Sequence, residues 1–129
     1  MKPGLKPGVR AEVRAQVTED MTPIFEGVMV HAVYSTWSMV HHMELAARKV
    51  LAPYLEEHEE GLGTHVSVDH VAPARVGRTI RVVAECTDVT PKSVTCRVSA
   101  YDGERLLGRG TQVQTVLSKK TIENLIQRS

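Results

Sequence analysis

Three side chains of this 129-residue chain could together do acid–base chemistry: Glu44, His70 and Thr36. Glu44 stands between Met43 and Leu45. On a helical wheel it flanks the apolar arc, close to Val40 and Leu51, rather than standing opposite it. A carboxylate at that border is partly withdrawn from water, a setting that suits a general base. A surface pair with Arg48, four residues on, would explain the same glutamate without any chemistry. His70 continues the face of Val66 and Val68, not the polar face of Ser67 and Asp69. It reads as a core histidine or as a group that moves protons near neutral pH. Thr36 sits where the helical pattern begins. It could cap that helix, or bring a hydroxyl to a place where backbone N–H groups converge on developing negative charge.

A second set of residues could line a ligand site. Gly61, Gly63 and Thr64 form a short Gly-x-Gly-Thr run where backbone can approach a ligand closely, and a plain turn would look the same. The remaining histidines, His31, His41, His42, His58 and His65, do not make a metal site by spacing. Adjacent helical residues such as His41 and His42 point about 100° apart, so they do not easily share one ion. There is no His-Glu-x-x-His, no paired-cysteine motif, no phosphate loop, no dinucleotide fingerprint and no Gly-x-Ser-x-Gly elbow. We therefore expect no metal and no cofactor.

These residues must be held by a small set of elements. Val9 to Val17 alternates, with Val9, Ala11, Val13, Ala15 and Val17 on one face, and predicts a half-buried strand. Met21 to Tyr34, with Pro23 and Gly27, reads as an irregular loop with a short turn. Thr36 to Leu51 predicts the one long helix: Met39, Val40, Met43, Ala46, Ala47, Val50 and Leu51 share an arc, Ser35 or Thr36 can cap it, and Pro53 discourages continuation. Glu56 to Glu60 reads as an acidic, exposed linker. Four strands are expected next, at Thr64–Ala72, Arg78–Asp88, Ser93–Tyr101 and Glu104–Leu117. Asp102-Gly103 supplies a hairpin signal between the last two. Gly108 and Gly110 suggest a bulge or a close backbone approach in the final strand. Ser118 to Arg128 predicts a short terminal helix with Ile122, Leu125 and Ile126 on its apolar side. One strand, a long helix and a four-stranded antiparallel meander make an α+β domain over residues 1–129. A curved sheet wrapped round the helix would bury the helix stripe.

Composition narrows the classes. The chain is 42% hydrophobic and 24% charged, with a formal net charge of +1. With no basic block, a nucleic-acid partner is not expected. No segment approaches the roughly 20 apolar residues that cross a bilayer, and Met1 to Gly8 lacks the apolar run of a signal peptide. Cys86 and Cys96 fall in strand-like stretches without a Cys-x-x-Cys pattern and read as half-buried thiols. A cytoplasmic protein is the expectation.

Several runs in combination resemble one family. They are Tyr34-Ser-Thr-Trp-Ser-Met-Val-His-His-Met-Glu-Leu-Ala, Leu51-Ala-Pro-Tyr-Leu-Glu, Gly61-Leu-Gly-Thr, Val68-Asp-His-Val-Ala, Arg97-Val-Ser-Ala-Tyr-Asp-Gly and Gly108-Arg-Gly-Thr. Together they are similar to the fluoroacetyl-CoA thioesterases, which have the hotdog fold. The resemblance covers nearly the whole chain and is weakest before Tyr34. It implies that Thr36, Glu44 and His70 are catalytic and that Gly63 lines the thioester pocket, with Thr64 and Val30 also at the substrate. It further implies an acyl-CoA substrate, no metal or redox cofactor, and a homodimer with active sites near the subunit interface. Fluoroacetyl-selective members carry gating phenylalanines in the loop before the helix. Here that stretch holds Gly27 and Val30, and Phe25 is the chain's single phenylalanine, so selectivity for a fluorinated acyl group is not expected.

Thr36 and Glu44 are eight residues apart, about 12 Å along a helix, too far to touch. Either the chain at Thr36 is not yet helical, or the two act on different atoms, or a partner chain contributes one of them. The expected activity is hydrolysis of a small acyl-CoA to free acid and CoA, with Glu44 as nucleophile or as base for water, His70 supporting the proton transfers, and Thr36 hydrogen-bonding the reacting group or the carbonyl. Rival readings are a hotdog enoyl-CoA hydratase or dehydratase and a non-catalytic acyl-CoA-binding protein.

Overall fold

The computed structural model describes residues 1–129. Strand β1 is Arg10–Gln16. A two-stranded hairpin follows, β2 Ile24–Phe25 and β3 Val28–Met29. Helix α1 spans Thr36–Leu51. Then come β4 Glu59–His70, β5 Thr79–Thr90, β6 Ser93–Asp102, β7 Arg105–Ser118 and helix α2 Lys119–Gln127. Five strands form one antiparallel sheet in the order β1-β5-β6-β7-β4, and α1 packs across it.

The predicted helix and the predicted alternation of β1 are both present. Met39, Met43, Ala46, Ala47, Val50 and Leu51 of α1 are fully buried. They meet Ile80, Val82, Ala84 and Cys86 of β5 and Val94, Cys96, Val98 and Ala100 of β6 in one apolar cluster. Each buried Val, Leu, Ile or Met side chain among them contributes about 1.5–3 kcal/mol by leaving water. Cys86 and Cys96 lie opposite each other in the ladder as free, fully buried thiols, and burial pushes Cys96 up to about 12.

Three expectations need correction. The four-strand meander is a three-strand meander, because β4 pairs with β7 at the far edge instead of with β5. Short turns force β5, β6 and β7 to be neighbours, but residues 71–78 between β4 and β5 are no tight turn. Eight residues reach up to about 28 Å, whereas three strand spacings need only about 14 Å. The acidic stretch is not all linker, since Glu59 and Glu60 belong to β4 and are half-buried. Glu59 accepts a hydrogen bond from the Glu56 N–H at 2.9 Å, and Glu60 pairs with Arg48 of α1 at 2.7 Å. The segment before α1 is also more regular than expected. Glu26 and Gly27, at φ 51° and 81°, join β2 to β3 as both positions of a left-handed two-residue turn. Strands of two residues are too short to show alternation.

Helix α2 is capped by Ser118 Oγ, which accepts from the Thr121 N–H. None of its residues is buried.

Candidate active site

The first turn of α1 is held from outside the helix. Ser35 Oγ accepts the Ser38 N–H at 3.2 Å and is the cap. Thr36 is thereby released from capping, as the first helical residue. Just upstream, the Tyr34 N–H donates to Ala74 O at 2.7 Å, and Val33 forms an isolated bridge with Arg75. The crossover that follows β4 therefore runs alongside the start of α1. This sets the last residue of β4 against the first of the helix. Thr36 Oγ1 lies 2.9 Å from His70 Nδ1, a contact between residues 34 apart in sequence. The Tyr34 hydroxyl is bonded to His42 Nδ1 at 2.5 Å and donates to Ser38 O at 3.4 Å, tying the helix entrance down from inside.

His70 is withdrawn from water. Its Nε2 is buried and has no hydrogen-bond partner. Burial pulls the imidazole below the ordinary histidine value, and the Ala72 backbone opposes this. Near pH 7 the ring is therefore neutral, able to accept at one nitrogen and donate at the other.

Glu44 sits two turns further along α1. The pair with Arg48 does not form, since Arg48 reaches Glu60 instead. Glu44 Oε1 accepts a hydrogen bond from Gln112 Nε2 of β7 at 3.3 Å. It rests over Gly63, where a Cβ would stand 2.7 Å from that oxygen. The expected desolvation of Glu44 is not met in the single chain, where the residue is exposed while Gln112 beneath it is buried. Gly63 and His70 face the same helix for a specific reason. Side chains alternate along a strand, so residues 63 and 70 would face opposite ways. A register shift between Gly63 and His65 makes Thr64 the extra residue and resets the alternation. Gly61 and Gly63 before the shift, and Val66, Val68 and His70 after it, then share the inner face.

Two expected site residues lie apart from these. The Thr64 hydroxyl is engaged by Val113 O and Thr115 Oγ1 of β7. Val30 follows the β2–β3 hairpin as an exposed residue whose N–H donates to Pro23 O. Phe25 packs edge-on against Trp37 at 5.3 Å, next to Thr36. Two residues that the sequence reading passed over are Gln112 and Gln114, both buried on the inner face of β7. Gln114 Nε2 donates to Ala47 O at 2.9 Å. Their signal was amides at alternate positions where a sheet face covered by a helix calls for apolar residues.

The chain thus carries two clusters: Thr36 with His70, and Glu44 with Gly63 and Gln112. Thr36 is already helical, which removes one of the three explanations for its separation from Glu44. A surface depression of about 580 Å³, lined by Val33, Pro73, Arg75, Arg78, Asp102, Glu104 and Arg105, contains none of these residues. No three His, Cys, Asp or Glu side chains come together as a metal-ligating group. No helix is long and apolar enough to cross a membrane.

Comparison with known proteins gives a consistent picture. The family model described as fluoroacetyl-CoA-specific thioesterase matches residues 17–120. The fluoroacetyl-CoA thioesterase of Streptantibioticus cattleyicolor is 41% identical over 85 residues, which span 66% of this chain and 61% of that protein. A crystal structure of a thioesterase-superfamily member from Thermus thermophilus superposes with a TM-score of 0.93 at 41% identity, covering 98% of this chain and 93% of that one. The crystal structure of a fluoroacetyl-CoA thioesterase gives 0.89 at 31% identity, covering 98% of both chains. A hot-dog-like protein from Thermanaerovibrio acidaminovorans, at 20% identity and a TM-score of 0.87, shares the fold. The chain is a hotdog-fold protein and belongs to the fluoroacetyl-CoA-specific thioesterase family.

Proposed function

We propose that the protein hydrolyses a small acyl-CoA to the free acid and CoA, acting as a cytoplasmic homodimer. The observation that carries this reading is the Thr36–His70 bond on the helix face that also bears Glu44. It joins residues 34 apart into a hydroxyl–imidazole couple of the kind acyl transfer uses. The matched family and the similar thioesterases named above support the reaction class.

In this reading Glu44 takes a proton from water as its oxygen attacks the thioester carbonyl carbon. The carbonyl π pair moves to oxygen, then returns as the C–S bond breaks and CoA leaves as the thiolate. The proton on Glu44 passes back to that sulfur or to solvent. His70, neutral with its proton on Nδ1, donates to Thr36 Oγ, and the Thr36 O–H donates to the carbonyl oxygen. A preorganised donor of this kind contributes about 3 kcal/mol to lowering the barrier. Thr36 and Glu44, about 12 Å apart along one helix, do not touch, and in this mechanism they act on different atoms, the carbonyl oxygen and the water. In the homodimer of this reading, Glu44 of one chain faces the Thr36–His70 couple of the other. Edge strand β4, paired on one side only, offers backbone groups for such an association. Two buried free thiols suit a reducing compartment.

The acyl group is small and not specifically fluorinated. Gly27 is spent on the hairpin turn, and Phe25 is held on Trp37.

The test is release of CoA thiol from acetyl- and propionyl-CoA by wild type and Glu44→Gln. Loss of kcat of on the order of 10²–10⁴-fold is expected. Unchanged hydrolysis by the variant would remove Glu44 from the mechanism.

A further inference from the structure

The inner face of β7 presents Gly108, Gly110, Gln112, Gln114 and Val116 to the helix, and its two amides are used differently. Gln114 ties strand to helix through Ala47 O. Gln112 makes no hydrogen bond to the helix backbone. It is 2% exposed, its Nε2 donates to Glu44 Oε1 at 3.3 Å, and its Oε1 is buried without a partner. Burying an amide with one side unsatisfied opposes folding, and an apolar side chain of equal length would pack there at less cost. What the amide does at that position is hold the carboxylate.

Gly63 belongs to the same construction. A Cβ there would stand 2.7 Å from Glu44 Oε1 and 3.4 Å from Gln112 Nε2. The bare backbone leaves the space in which the two side chains meet. A glutamate on an exposed helix face otherwise samples many rotamers. A donor rooted in the sheet selects those that lay the carboxylate over β4 and β7.

We infer that Gln112 is a positioning residue for Glu44, gripping one carboxylate oxygen from within the sheet so that the other is presented to the attacking water. The inference rests on the reading of Glu44 as the reacting carboxylate. The grip suits a base that is ionised before it acts, because an amide N–H donates to a carboxylate. Once Glu44 has taken a proton, the same side chain, turned over, offers Oε1 as acceptor for the new O–H. An arginine or lysine at this position could donate but not accept.

The test uses the whole 129-residue chain in five forms: wild type, Gln112→Met, Gln112→His, Glu44→Gln, and Gln112→Met in the Glu44→Gln background. Methionine keeps the length and removes the donor. Histidine can return an N–H at nearly the same reach. For Gln112→Met we expect kcat on acetyl-CoA to fall on the order of 10- to 100-fold, with KM little changed and the melting temperature equal to or above wild type. Gln112→His should recover part of kcat, and Gln112→Met should cost nothing further when Glu44 is already Gln. Wild-type kcat in Gln112→Met, with Glu44→Gln inactive, would overturn the inference and leave the role of Glu44 standing. Full activity in Glu44→Gln would overturn both. A fall in kcat that tracks a fall in melting temperature, or that recurs undiminished in the Glu44→Gln background, would make Gln112 a packing residue and overturn the inference.

Discussion

The two halves of the sheet under α1 are built from different materials. On the β5–β6 side every inward residue from Ile80 to Cys86 and from Val94 to Ala100 is apolar and fully buried. On the β7–β4 side the inward residues are Gly108, Gly110, Gln112, Gln114 and Val116, then Gly61, Gly63, Val66, Val68 and His70. The first half is wholly apolar and excludes water. The second removes side-chain volume wherever the helix passes close. A Cβ at Gly61 would stand 2.7 Å from Leu51 Cδ2, and one at Gly108 would collide with Met39. At Gly63 the freed space takes the Glu44 carboxylate. A helix seated firmly on one half of its sheet can carry reactive groups over the other, because their geometry is fixed by packing elsewhere.

That division can be attacked from both sides. Ile80→Ala, on the apolar half, should cost about 2–5 kcal/mol of stability, measured by denaturant unfolding, while kcat per folded molecule stays at wild type. A comparable loss of kcat would mean the halves are not separable. Gly63→Ala, on the other half, should lower kcat on the order of 100-fold by pushing the Glu44 carboxylate off its seat. Its unfolding midpoint should move far less than that of Ile80→Ala. Thr36→Val should lose on the order of 100-fold in kcat, with Thr36→Ser restoring most of it. Equal activity in Val and Ser variants would make the hydroxyl irrelevant.

The smallest effect is on pH dependence. His70 and His42 both lie below the ordinary histidine value. Burial is the main cause in each, with His41 adding to it at His42. A depressed folded-state value means the unfolded chain binds these protons first. The stabilisation is thus fully present above about pH 6.5, the unperturbed histidine value, and is lost as pH falls through the lower folded-state values. The melting temperature should fall between pH 7 and 5. The fall should be shallower in His42→Phe, and an equal slope in that variant would show that His42 does not contribute.

A good part of this was readable from residue order. The span of α1 follows from the arc of Met39, Met43, Ala46, Ala47, Val50 and Leu51 and from Ser35 before it, because a helix is written in contacts three and four residues apart. The alternation of β1, β5 and β6 is equally local, and the family resemblance pointed to Thr36, Glu44 and His70 by type. Only the tertiary structure decided that β4 begins at Glu59 and crosses to the far edge. It also decided that the extra residue at Thr64 turns Gly63 and His70 to one face, that Arg48 takes Glu60, and that Glu44 takes Gln112. The Thr36–His70 and Glu44–Gln112 pairings join residues 34 and 68 positions apart. Strand order and register set such meetings, and no periodicity within a single segment encodes them.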